Sequence, residues 1–245
     1  MAVHVDRRGD ADHITVVTID RPERRNALDQ DTLSALVGAV TDVPAGTRAL
    51  VLTGAAGHFC SGADLSGVED QHFADSLQAV LVALHHAPFP TIAAVEGAAL
   101  GAGTQLAVAC DLRTAHPDAS FGIPAAKLGL MVNQWTVQRL VALAGEGTAR
   151  SMLLAAEVMS GSDAHRIGLV QRLGGVEDGL LWADDIATKA PLTIAGHKVM
   201  LNALTPDPVP DEAVTAAFNR AWQSDDFAEG LAAFRERRTP NFQGR

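Results

Sequence analysis

The sequence predicts an α/β fold, because short β-branched runs alternate with helical patterns through the first two thirds of the chain, glycine-rich turns follow those runs, and the pattern becomes wholly helical beyond Pro191. The first run, ITVVTI at Ile14–Ile19, reads as a strand. It is stopped by DRPERRNALD, where Pro22 and the clustered charges make a loop. Asp29 is placed to cap a helix whose Leu33, Leu36, Val37 and Val40 recur at the i, i+3, i+4, i+7 spacing of one buried face. Ala49–Thr53 is the next strand. It ends at Gly54 and enters GAAGHFCSGADLSG, a segment of small residues too irregular to pack as an element and of the kind that carries function. A helix with Leu77, Val80, Leu81 and Leu84 on one face follows. Thr91–Val95 is a third buried strand, and after Gly97 the run ALGAGTQLAVAC reads as a tight turn opening directly into a helix. The first backbone N–H groups of such a helix have no intrahelical partner. The tail contains three helical stretches, LTIAGHKVMLNAL, DEAVTAAFNRAWQ and DDFAEGLAAFRERR, separated by proline-rich or acidic breaks. Residues 191–245 are therefore expected to form a helical region appended to a core at 1–190. No fixed-period repeat and no low-complexity tract occurs.

At 245 residues the chain suits one large domain with a substantial core. Its net charge of −10 argues against nucleic-acid or anionic-membrane partners, although a local basic site can still take a polyanionic ligand. The two cysteines, Cys60 and Cys110, have neither disulfide-framework nor metal-ligand spacing, so no metal is expected. No secretory pattern and no bilayer-length apolar run are present, so the protein is expected to be soluble and cytoplasmic, with no integral membrane segment.

Two turns, Ser61–Leu65 and Gly101–Gly103, each follow a predicted strand and each could aim a backbone N–H at one ligand oxygen. Two converging donors make an oxyanion hole, which grips a carbonyl and stabilises charge developing on its oxygen. Plain structural punctuation is the open alternative. A dinucleotide fingerprint at the second turn fails at its sixth position, where Leu106 replaces the Gly or Ala needed for close packing.

Five segments in order, RPERRNALD, LTGAAGHFCSGADL, VEGAALGAGTQLAVACD, SGSDAHRIGLVQRLG and FRERRTPNFQG, resemble the crotonase (enoyl-CoA hydratase/isomerase) superfamily from about Ile14 to the end. The resemblance implies a spiral core of ββα units, a C-terminal helical assembly region, a homotrimer or dimer of trimers, and a coenzyme A thioester as ligand with no further cofactor. By position, Ala63 and Ala102 match the two oxyanion-hole donors. Ser61, Gly62, Asp64 and Leu65 match the stretch around adenine and pantetheine, and Arg24 and Arg25 match the loop bordering the phosphates. Arginine suits phosphate through its rigid fork of donors.

The departures from the family pattern bear on chemistry. The two catalytic Glu positions of hydratases are Gln105 and Ala125 here. Hydration needs one group to take a proton from water and one to deliver a proton to carbon, and an amide and a methyl do neither. Glu69, Asp70 and Asp75 are the candidate replacement acids. In MVNQWTVQRL, Trp135 stands where the family has a glycine, so it is expected either to line or cap the acyl pocket or to serve as a trimer-interface or core aromatic. FGIPAAKLGL, the NQW insert and the FQG ending resemble a non-hydrating actinobacterial branch, which implies binding of fatty acyl-CoA in lipid metabolism. An active lyase or isomerase with other acids, and a scaffold for fatty-acid synthesis enzymes, are the competing expectations.

Overall fold

The computed structural model describes residues 2–9, 12–65, 71–204 and 211–245. Strands β1 (Val3–Arg8), β2 (Ile14–Ile19), β3 (Ala49–Gly54), β4 (Thr91–Val95), β6 (Leu112–Ala115) and β9 (Arg172–Leu173) form one sheet in the order β1-β2-β3-β4-β6-β9. Only β1 runs antiparallel to its neighbour. The sequence pattern did not predict this strand. It is an edge strand with only Val3 buried, and its charged residues hide the alternation.

The parallel strands are apolar throughout because both faces are covered. Val17, Ile19, Leu50, Leu52, Ala93 and Val95 enter the main core. Their alternates Ile14, Val16, Val51 and Ile92 face helix α7 (Val176–Ala187) through Ala183 and Leu180.

A second, smaller layer runs beside the first. Strands β5 (Ala98–Leu100), β7 (Ser120–Gly122) and β8 (Val158–Ser160) form a three-stranded sheet, and single bridges Leu28↔Ala63 and Cys60↔Ala99 continue it. Each turn of the chain thus adds one strand to the large sheet and one short step to the small one, after which a helix returns it. The returning helices are α1 (Gln30–Thr41), α2 (Gln71–His86) and α3 (Ala102–Ala109). This is the ββα spiral that the family resemblance implies. Asp29 caps α1 as expected, accepting from the Thr32 amide at 2.8 Å.

Helices α4 (Gln134–Ala144), α5 (Glu146–Leu154) and α6 (Gly161–Arg166) complete the first 190 residues. Helices α8 (Pro191–Ala203), α9 (Glu212–Trp222) and α10 (Asp225–Glu236) are the predicted tail, and they pack back onto the core. Lys198 of α8 is buried in an ion pair with Asp111 at 2.8 Å and also donates to the Phe89 carbonyl at 3.0 Å.

Candidate functional site

The two glycine-rich turns lie side by side. Gly62 and Gly101 both have positive φ, +119° and +55°, and the ψ of −114° at Gly101 is a conformation open essentially to glycine alone. A β-carbon at Gly101 would stand only 3.8 Å from Gly62 Cα, so the backbones approach at van der Waals distance. The next residue in each turn is Ala63 or Ala102. Ala102 is the first residue of α3, where an amide has no intrahelical acceptor. Ala63 is bridged to Leu28 through the carbonyl of Gly62 and the amide of Asp64, which leaves its own N–H out of the ladder. Neither amide meets a protein acceptor among the described residues.

Both residues line a cavity of about 510 Å³. Arg24, Arg25, Ser61, Gly62, Asp64, Leu65, Gln105 and Ala125, all expected from the sequence, line it as well, and Trp135 does not. Arg24 and Arg25 are exposed at its edge, and their carbonyls accept from the hydroxyl and amide of Ser61, which fixes the first loop against the second turn. Asp64 is nearly buried and ion-paired to Arg21 at 3.0 Å, and Arg21 also reaches Asp29 at 2.8 Å. Its carboxylate therefore braces the turn.

Gln105 is buried on α3, and its carbonyl oxygen accepts from the Thr136 hydroxyl at 2.8 Å. Its amide nitrogen has no protein partner among the described residues, so the side chain offers the cavity a donor and no base. Ala125 sits in the 3₁₀ turn Pro124–Leu128 with its methyl toward the cavity. Cys60 adjoins the first turn, but burial pushes its thiol up to about 12, which removes it as a nucleophile at neutral pH. Asp75 is exposed on α2 and does not line the cavity, although Ala74 and Leu77 do. Glu69 and Asp70 lie outside the described residues. Among the described lining residues, Asp64 is the one carboxylate.

Trp135 corrects the pocket expectation. It occupies the first turn of α4 and is buried with its ring edge-on to His85 at 5.4 Å, so it serves as a core aromatic. Asn133 caps α4 by accepting from the Thr136 amide, and its side-chain amide donates to Gln78 on α2. These bonds turn the chain inward just before Trp135, leaving Leu130, Met131 and Val132 on the cavity wall. The tail supplies what the sequence did not assign, since Phe218, Trp222 and Phe234 line the same cavity. Phe218 and Trp222 are four residues apart on a helix, which marks one apolar face but not the wall it joins.

A sequence model described as enoyl-CoA hydratase/isomerase matches residues 9–245. A probable enoyl-CoA hydratase of Mycobacterium tuberculosis, echA6, is 42% identical over 242 residues, covering 96% of this chain and 97% of that protein. The crystal structure of an enoyl-CoA hydratase from Mycobacterium avium subsp. paratuberculosis superposes with a TM-score of 0.83 at 26% identity, covering 99% of both chains. That of methylmalonyl-CoA decarboxylase complexed with 2S-carboxypropyl CoA gives 0.89 at 25% identity, covering 100% of this chain and 99% of the other.

Proposed function

The chain belongs to the enoyl-CoA hydratase/isomerase family, and from that membership we propose that its cavity holds fatty acyl-CoA thioesters by their carbonyl without hydrating them. The observation that carries this reading is the pairing of two unpartnered amides, Ala63 and Ala102, with a cavity whose family acid positions are Gln105 and Ala125. The amides grip the thioester oxygen. Arg24 and Arg25 at the edge suit the phosphates of coenzyme A, and the CoA compound held by the decarboxylase neighbour agrees with a ligand of that class. Phe73, Leu77, Leu130 and Val132 give an apolar wall for the acyl chain. Among the described lining residues the one carboxylate, Asp64, is held in an ion pair by Arg21, so none is placed to take a proton from water and the conjugated double bond of a bound enoyl chain stays unhydrated.

Exposed apolar side chains on α8, among them Leu192, Val199 and Leu201, support the homotrimer or dimer of trimers, and sedimentation analysis decides between them. A cytoplasmic setting and handover to fatty-acid synthesis enzymes complete the reading, and a pull-down lacking such enzymes would remove that last part. Among the described residues no helix is long and apolar enough to cross a membrane.

The test has two arms. Long-chain acyl-CoA at a hundred times its Kd stabilises the fold by about 2.7 kcal/mol if it binds only the native state. The same protein incubated with crotonyl-CoA and longer 2-enoyl-CoAs leaves them unchanged. Hydration or isomerisation far above background overturns the reading in favour of an active lyase, the activity for which the relatives are named.

A further inference from the structure

We infer that Trp222 sets the acyl length this cavity accepts, and that its indole N–H latches helix α9 over the acyl end. The inference deepens the acyl-CoA reading and rests on it. Trp222 Nε1 donates to the Met131 carbonyl at 2.9 Å. Met131 belongs to the segment that leads into α4, where Asn133 caps the helix and Thr136 holds Gln105. The tryptophan is thus tied to the Gln105 side of the carbonyl site, whereas Arg24 and Arg25 are tied to the Ser61 side. A thioester gripped between them sends its acyl chain toward Trp222.

The two tail helices that reach the cavity are anchored very differently. Helix α10 is fixed by backbone contact, since a β-carbon at Gly230 would overlap the Leu128 carbonyl and one at Gly129 would collide with Asp226. Phe227 and Leu231 of α10 are also buried in the core. Helix α9 has no fully buried residue. Among the described residues, Trp222 to Met131 is the only hydrogen bond joining it to the first 190 residues. Its apolar face joins an aromatic ladder: Phe218 stacks on Trp222 at 5.7 Å, and Trp222 leans on Phe227 of α10 at 5.4 Å. Phe218 and Trp222 both remain partly exposed toward the cavity. An acyl chain long enough to reach them covers that surface and seats α9, and a longer one meets the indole as a stop.

Each buried methylene contributes about four-fold in affinity. Dissociation constants are therefore measured by calorimetry for saturated acyl-CoAs from butyryl to eicosanoyl, with dissociation rates by stopped flow, on the wild type and on Trp222→Ala, Trp222→Leu and Trp222→Phe. In the wild type, affinity rises with chain length and then levels. In Trp222→Ala and Trp222→Leu the rise continues for at least two further carbons. Trp222→Phe keeps the levelling point but loses the indole hydrogen bond, so the chains that reach it dissociate about 2- to 10-fold faster. Levelling at the wild-type length in both truncated variants overturns the length-setting role, and an unchanged dissociation rate in Trp222→Phe overturns the latch. Failure of the wild type to bind any acyl-CoA is a different result, which overturns the acyl-CoA reading itself.

Discussion

Installing the two absent acids, Gln105→Glu together with Ala125→Glu, should convert the binding site into a hydratase. The structure accommodates both changes. At position 105 the Thr136 hydroxyl, 2.8 Å from the present carbonyl oxygen, can donate equally to a carboxylate. Residue 105 is only 7% exposed, so burial raises the new carboxyl's pKa, the direction that makes a carboxylate a useful base near neutral pH. Position 125 opens directly on the cavity of about 510 Å³, which has room for a longer side chain. A positioned acid or base is worth about 10²- to 10⁴-fold in rate, or about 2.7–5.5 kcal/mol. The two act on one proton relay, so the double variant should exceed the product of the single ones. The assay follows loss of the conjugated-thioester absorbance of crotonyl-CoA, confirms the 3-hydroxyacyl product by mass, and measures binding by calorimetry on the same protein. A double variant that binds crotonyl-CoA as the wild type does, yet hydrates it within ten-fold of wild-type background, would refute the argument that absent acids are what stops the chemistry.

Three further outcomes follow from buried groups. Lys198→Ala leaves the Asp111 carboxylate without its cation in a nearly dry site, so urea unfolding should show a loss of about 3–5 kcal/mol, and a loss under 1 kcal/mol would mean the pair is solvated. Burial, with the charges of Arg139, His86 and Lys198 added and Asp111 opposing, lowers His85 to about 4. Because the unfolded chain takes up that proton near pH 6.5 and the folded one refuses it until about 4, stability should fall by roughly 2–3 kcal/mol across this window as pH drops. His85→Gln should remove that part of the slope, and chemical denaturation at a series of pH values checks it. Trp135→Ala should destabilise by about 3–5 kcal/mol through the cavity it leaves against His85, with the acyl-length profile unchanged; an altered profile would place the indole in the ligand cavity after all.

What could be read from the sequence was whatever local chemistry writes locally. The both-face apolar strands, the Asp29 cap and the two glycine turns are consequences of side-chain period and backbone sterics within a few residues, and they stand where expected. The small sheet was not legible, because strands of three residues and single bridges such as Leu28↔Ala63 leave no periodicity to detect. That Trp222 and not Trp135 lines the cavity has the same cause at longer range. Trp135 reads as an aromatic in a segment that replaces a glycine-rich loop and Trp222 as part of a helical stretch, and only the inward turn at Asn133 and the fixing of α10 by Gly129 and Gly230 decide which one meets the cavity. Gln105 likewise was recognisable as a missing acid, whereas its conversion into a donor depends on Thr136, brought up from 31 positions away.

On the reading proposed above, helix α3 is the element that would allow carbonyl recognition without proton transfer. All eight of its residues are buried, and its first amide, that of Ala102, meets no protein acceptor among the described residues. At its other end, Arg113 is fully buried with all its donors taken by oxygens, among them the carbonyls of Ala107 and Cys110. Arg139 adds bonds to Val108 and Cys110. Burial lowers Arg113 to about 10, so it remains a cation at neutral pH. Two guanidinium groups thus satisfy the helix's terminal carbonyls, and the positive end of its dipole, at the Ala102 amide, faces the cavity. None of this arrangement involves positions 105 or 125 as proton carriers. On the acyl-CoA reading proposed above, polarisation of a thioester would rest on the core of the fold and proton transfer on the side chains at positions 105 and 125, so the second could be lost without the first.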